Sequence, residues 1–348
     1  MKHNKLIGPI LLIIAAFIWG SAFVAQSEGA KHLGPFTFLC LRSFLGTAVL
    51  MPVVLIKRLR KKPSDDTVQT ASKSTKTLLI SGIICGIFLF SASACQQIGL
   101  TKGTEPGKAG FITALYILLV PVFSLFLGKK IRPIIWGCVG ISIIALYLLC
   151  VKEDNSIVPA DIYVLMCAAL YAVHILVIDK FAPDIDGVEL SAMQFFVAGI
   201  ISTVPALLFE QATLTNVRDA ALSIAYSGIM SSGIAFTFQI IAQKRTEPTL
   251  ASMLMSLESV FAVLTSLVIL GQLPTLREGI GCVLMFIAII VAQLPESVFK
   301  KKKTKLSLFI VTAIILISII AFVFWNNSNE KHPTATPTTA TMSDVKSK

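Results

Sequence analysis

Charge is scarce in this chain. Only 14% of its 348 residues are Asp, Glu, Lys or Arg, whereas a soluble domain needs about a quarter to cover its surface. Histidine is rarer still, at four residues. The seven cysteines (Cys40, Cys85, Cys95, Cys138, Cys150, Cys167 and Cys282) include no CxxC pair and all fall in apolar stretches, where a thiol packs as a small apolar group. Neither a disulfide framework nor a metal centre is indicated, and no cofactor is expected. HExxH and GxSxG are absent. Gly103-Thr-Glu-Pro-Gly-Lys-Ala-Gly110 lacks the Gly-to-Gly-Lys spacing of a phosphate loop, and Ala109 stands where a hydroxyl is required. ATP-driven pumping and recognisable hydrolase chemistry are disfavoured, and the chain is not expected to be an enzyme.

Apolar residues fill the space instead, at 55% with a mean hydropathy of +0.81. They come in runs of about twenty, the helical length that crosses a hydrocarbon core of about 30 Å. The runs predict spans over 6–26, 35–56, 78–99, 106–127, 133–150, 160–180, 189–209, 219–242, 248–270, 276–294 and 306–325. The expected class is an all-α polytopic membrane protein with ten helices in a compact set and an eleventh beyond a lysine run. The first span is read as a true helix and not a cleaved signal, because Phe23 and Val24 interrupt any small-x-small site.

The net charge of +11 does not point to nucleic acid. Much of it comes from two runs, Lys57 to Lys62 and Lys300 to Lys305, that abut spans and suit anionic headgroups. Lipid, not nucleic acid, is the expected partner. Counted over alternate loops, twenty Lys and Arg fall on one side and six on the other, which predicts a cytoplasmic N-terminus and an external C-terminal tail.

The chain also matches itself. At an offset of 153, Leu12, Gly34, Gly46 and Pro52 meet Leu165, Gly187, Gly199 and Pro205. After the basic loop the offset falls to 142, and Thr104-Glu105-Pro106 meets Thr246-Glu247-Pro248, as Gln97 meets Gln239. Five spans per half, an odd number, require the second copy to enter from the opposite side. The expected organisation is a first repeat at 1–150 carrying a basic loop at 57–77, and an inverted repeat at 151–298. A polybasic flank and extra helix follow at 299–325, then a disordered Thr/Pro-rich tail at 326–348. Inverted halves that exchange conformations open a central site to one face and then the other, which favours secondary transport driven by an ion or substrate gradient.

Several stretches then resemble one family. Trp19-Gly20-Ser21-Ala22-Phe23-Val24, Arg42, Gly110-Phe-Ile-Thr-Ala-Leu-Tyr116 running to Pro121 and Gly128-Lys-Lys130, and Leu257-Glu-Ser-Val-Phe-Ala262 running to Gly271 are similar to the EamA-type branch of the drug/metabolite transporters. The resemblance covers about residues 6–295. It implies a multi-pass carrier in the cytoplasmic membrane, commonly an exporter of amino acids or related small metabolites. It also implies a substrate cavity between the first four helices of each repeat. Ser259, where a proline often follows the glutamate, and Lys129-Lys130, where an acid often ends the fourth span, depart from the pattern.

Ionisable groups deep in a bilayer are functional candidates by default. Arg42 lies about 12 Å into its span and Glu258 about 15 Å, at 1.5 Å per residue. Glu258 suits an amine or proton, and Arg42 suits a carboxylate; an ion pair between them is the structural alternative. His174 is a candidate proton relay, Tyr116 is the repeat mate of Glu258, and Trp19 is a candidate cavity wall. Gln97 and Gln239 are candidate gating contacts, and Pro121 is expected to bend its helix as a hinge. A coupling proton or other ion and a homodimer are compatible with the sequence. The same-class alternative is a nucleotide-sugar or lipid-linked phosphate carrier, which would want several cavity cations. The different-class alternative is a membrane-embedded enzyme or sensor.

Overall fold

The computed structural model describes residues 6–60, 67–150, 158–270 and 275–294. The expected eleventh span, the tail, the polybasic flank and part of the basic loop lie outside them. Met1–Leu294 form one compact unit, and no strand occurs among the described residues.

The helices, in chain order, are α1 (Ile7–Ala30), α2 (Pro35–Arg60), α3 (Thr67–Thr101), α4 (Pro106–Ala114), α5 (Tyr116–Phe126), α6 (Pro133–Cys150) and α7 (Asp161–Phe181). Then come α8 (Gly187–Phe209), α9 (Leu214–Asp219), α10 (Ala221–Ala225), a π-helical stretch (Tyr226–Ala235), α11 (Phe236–Gln243), α12 (Pro248–Met255), α13 (Glu258–Leu270) and α14 (Leu276–Gln293). Among the described residues, eight helical segments are long and apolar enough to cross a bilayer, and Pro133–Leu149 is a shorter apolar helix. Large apolar side chains such as Ile10, Phe17, Leu55, Phe126, Ile144 and Leu207 stand exposed around the bundle. Water would penalise so much exposed apolar surface; hydrocarbon does not.

Sequence chemistry sets the helix ends. Asp186 caps α8, its Oδ1 accepting from the Val188 and Glu189 amides at 2.9 and 3.3 Å while Lys57 holds Oδ2 at 3.0 Å. Burial opposes the charge on Asp186, but the Lys57 and amide hydrogen bonds hold its carboxyl below the usual carboxylate range. Thr275 and Glu278 form a reciprocal capping box at α14. Pro106 and Pro248 occupy first-turn positions, as their Thr-Glu-Pro contexts predict. The Thr104 hydroxyl just before α4 donates to Asp161 Oδ1 at 3.1 Å.

Repeat-related positions make related contacts. Thr104 meets residue 161, and its mate Thr246 packs on Gly8, which is the mate of residue 161. The α4–α5 run breaks at Leu115, and the α12–α13 run breaks at Ser256–Leu257, which is 142 positions on from Leu115 for Leu257. At the first break the Leu118 amide turns back to the Leu115 carbonyl at 3.0 Å; at the second the Ser256 hydroxyl occupies the Met253 carbonyl at 2.8 Å. The interruption precedes Pro121, which sits inside α5, and α13 has no proline. The interruption therefore does not coincide with Pro121, and proline is not the shared cause.

The π-helical stretch is a second departure. A plain helix was expected over 219–242, but Tyr226–Ala235 winds more widely, with hydrogen bonds reaching one residue further than in an α-helix. Its repeat mate, 84–93, is ordinary α3. Glycines allow close crossings elsewhere: Gly82 and Gly86 of α3 lie against Met193 and Val197 of α8.

Gly20 makes the tightest of these crossings that bears on function. A Cβ there would lie 2.5 Å from the Glu258 carbonyl oxygen and 2.9 Å from the Ala262 amide nitrogen. Both are backbone atoms that cannot swing aside. Gly20→Ala is expected to cost about 1–3 kcal/mol by forcing α1 from α13. The check is the Tm of the detergent-solubilised full chain: it should fall by several degrees, and an unchanged Tm would contradict this packing.

Candidate functional site

The broken helices face one another across the centre of the bundle. Tyr116 opens α5 and Glu258 opens α13, so each break ends at a side chain on the central cavity. Trp19, Phe23 and Gln26 come from α1, Arg42 from α2, Gln96 from α3, Tyr171 from α7 and Ser231 from the π-helical stretch. Phe236 closes one side, its ring 4.9 Å from that of Trp19. The space open to the centre of a water molecule is about 50 Å³. That admits only a few waters at about 10–15 Å³ each.

The two charged residues are buried, Arg42 at 3% and Glu258 at 4% exposure, yet they are not paired with each other. Arg42 Nη1 donates to Gln26 Oε1 at 2.7 Å, and Nε donates to Ser232 Oγ at 3.3 Å. Glu258 Oε1 accepts from the Tyr116 hydroxyl at 3.1 Å. Each group thus rests on neutral partners, and neither is committed to an opposite charge. A carboxyl and a guanidinium in one cavity match the two ends of a zwitterion in kind, or the carboxyl alone can take an amine or a proton.

Of the sequence candidates, Trp19, Arg42, Tyr116, Glu258 and Gln239 all line this cavity. His174, Gln97 and Pro121 do not. His174 is fully buried behind the wall, its Nε2 3.0 Å from Gln194 Oε1 and its ring edge-on to Tyr171 and Phe236. Gln97 donates to the Gln26 carbonyl at 3.2 Å, tying α3 to α1. Its repeat mate Gln239 does the corresponding job at one remove: it donates to Gln243, which donates to the Ile175 carbonyl of α7, each at 3.0 Å. Pro121 is buried within α5.

Sequence reasoning missed Gln26, Gln96, Tyr171 and the serines of the π-helical stretch. Gln26 carried a readable signal, a primary amide at the end of an otherwise apolar run; Ser231 and Ser232 carried none, since serine is common in membrane helices. A second missed feature is the buried pair of Lys108 and Asp161, 2.6 Å apart. Among the described residues, no group of three or more His, Cys, Asp or Glu is placed to hold a metal ion.

Comparison with known proteins agrees with this architecture. The model of the EamA-like transporter family matches residues 6–151 and again residues 158–294. The chain is 25% identical over 293 residues to an "Uncharacterized transporter" of Archaeoglobus fulgidus, covering 84% of this chain and 87% of that one. It is 22% identical to the "Uncharacterized transporter YoaV" of Bacillus subtilis, covering 79% and 92%. The "Uncharacterized inner membrane transporter YedA" of Escherichia coli K12 is 21% identical, with 87% and 96% covered. A solved crystal structure superposes with a TM-score of 0.67 at 22% identity, covering 84% of this chain and 97% of the other, a likeness of fold.

Proposed function

Because the chain belongs to the EamA-like transporter family, we propose that it carries a small zwitterionic metabolite, an amino acid or close relative, across the cytoplasmic membrane by alternating access. The observation that carries this reading is the central cavity in which Arg42 and Glu258 are both buried and each is held by neutral groups. The Arg42 guanidinium receives the cargo carboxylate, and Glu258 receives its ammonium. Trp19, Tyr171 and Phe236 supply the apolar and aromatic wall that fixes orientation.

Export follows from the family resemblance, and the basic face is the cytoplasmic one. That face carries Lys57, Arg58, Lys129, Lys244 and Arg245, and several of them hold neighbouring helix ends: Lys57 to Asp186, Arg58 to Glu189, Lys129 to Asp179. The breaks at Leu115 and Ser256–Leu257 give the helices places to flex as the cavity opens to one face and closes to the other. A nucleotide-sugar or lipid-linked phosphate would want several cations at the centre, and among the residues lining the cavity only Arg42 is cationic.

The test is counterflow. Full-length protein in liposomes preloaded with unlabelled amino acids is expected to accumulate labelled amino acid transiently and saturably. Exchange of nucleotide-sugars or inorganic phosphate with no exchange of any zwitterion would overturn the assignment.

A further inference from the structure

Two of the three guanidinium nitrogens of Arg42 are held. Nη1 donates to Gln26 of α1, and Nε donates to Ser232 of the π-helical stretch. Nη2 makes no hydrogen bond among the described residues, yet it is not sealed away as the Trp19 indole nitrogen is. The guanidinium therefore has a fixed plane and an open edge on the cavity that it lines. Arginine stays protonated in proteins, and a buried charge with no opposite partner is costly.

Gln26 is the more firmly fixed of the two partners. It is 5% exposed, its backbone carbonyl accepts from Gln97 of α3 at 3.2 Å, and its Nε2 donates to the Ala22 carbonyl at 3.4 Å. The amide nitrogen faces a carbonyl and the amide oxygen faces a donor, so the group cannot turn over without losing both bonds. Ser232 arrives from the other repeat. Gly46 lies one turn beyond Arg42 on α2, and a Cβ there would sit 2.7 Å from Ser232 Cβ. That bare crossing lets the fully buried Ser232 hydroxyl reach Nε. Both partners are neutral. A carboxylate at position 26 would bond to Arg42 more strongly than the amide does, but it would also supply the anion that a cargo otherwise brings.

We infer that Gln26 is the specificity-determining residue at the carboxylate end of the central site: its neutral amide orients Arg42 without compensating it, so that a cargo bearing a carboxylate is selected over the corresponding amine. Ser232 is the second positioning contact. The inference rests on the transport reading of the same cavity and adds which residue sets the charge the cargo must carry.

Gln26→Glu is the discriminating substitution, because it keeps the bond to Arg42 and changes only the charge; beside a guanidinium the new carboxyl is ionised. Full-length wild type and variant are reconstituted in liposomes. Counterflow is measured for the protein amino acids, for the amines that lack their carboxylates, and for acetate and lactate. The variant is expected to raise the apparent KM for the best-exchanged amino acid by about tenfold or more, the worth of a hydrogen bond to a charged group. Its preference should shift toward the amine, with the Tm in detergent unchanged or higher. A glutamine that served only packing would leave KM and preference at wild-type values, and that result overturns the inference. Gln26→Met, neutral but without an acceptor, provides a second reading should the glutamate variant not reach the membrane. Its KM for the amino acid should also rise, with the preference over the amine retained, and a wild-type KM would again overturn the inference. If the wild type exchanges acetate or lactate but no zwitterion, the zwitterion assignment falls, and weaker monocarboxylate exchange by Gln26→Glu upholds the role of Gln26. If it exchanges neither, both fall.

Discussion

Glu258→Gln is expected to reduce counterflow by about tenfold to a hundredfold, since hydrogen bonds to a charged group are worth ~1.5–3 kcal/mol. The substitution is nearly isosteric, and a glutamine oxygen can still accept from the Tyr116 hydroxyl that now lies 3.1 Å from Glu258 Oε1. What disappears is the negative charge, or the capacity to carry a proton, at the mouth of α13. Abundance in the membrane should be unchanged, because the side chain fills the same volume and keeps its structural bond. Immunoblotting of membranes normalises the flux measurement. Wild-type exchange rates in the variant would remove Glu258 from the transport path.

Asp161→Asn should produce the largest loss of stability. The Lys108–Asp161 pair lies with its two side chains only 10% and 9% exposed, and the same carboxylate also accepts from Thr104 and from the Val158 amide. Removing one charge of a buried pair typically costs about 3–5 kcal/mol, whereas exchanging both for apolar groups is often nearly neutral. The full-length variant in detergent should therefore show a strongly lowered Tm, and adding Lys108→Met should recover much of it. A double variant no better than the single one would show that the charge pairing is not the source of the effect.

Local signals in the sequence carried far. An arginine or glutamate inside a run of leucines stands out whatever its neighbours are, so Arg42 and Glu258 were identifiable before any helix was placed, and Tyr116 followed from the repeat offset. Orientation about a helix axis was not readable in the same way. α7 is apolar on nearly every face, so nothing local distinguishes Tyr171, which reaches the cavity, from His174, which turns toward Gln194. Pairings between distant segments were equally hidden. Asp161 is held by Lys108 and Thr104, more than fifty residues away, and no local pattern marks that pairing. The wide winding at Tyr226–Ala235 is also a tertiary property, since Gly46 of α2 packs on Gly228 and Ser232 there.

That winding has a kinetic corollary. If the two halves were alike, the inward- and outward-open forms would be mirror partners of equal free energy, populated half and half. Here one half holds a loosened coil at a position where the other holds a regular one. For the alternating-access cycle proposed above, symmetry therefore imposes no degeneracy between the two open forms.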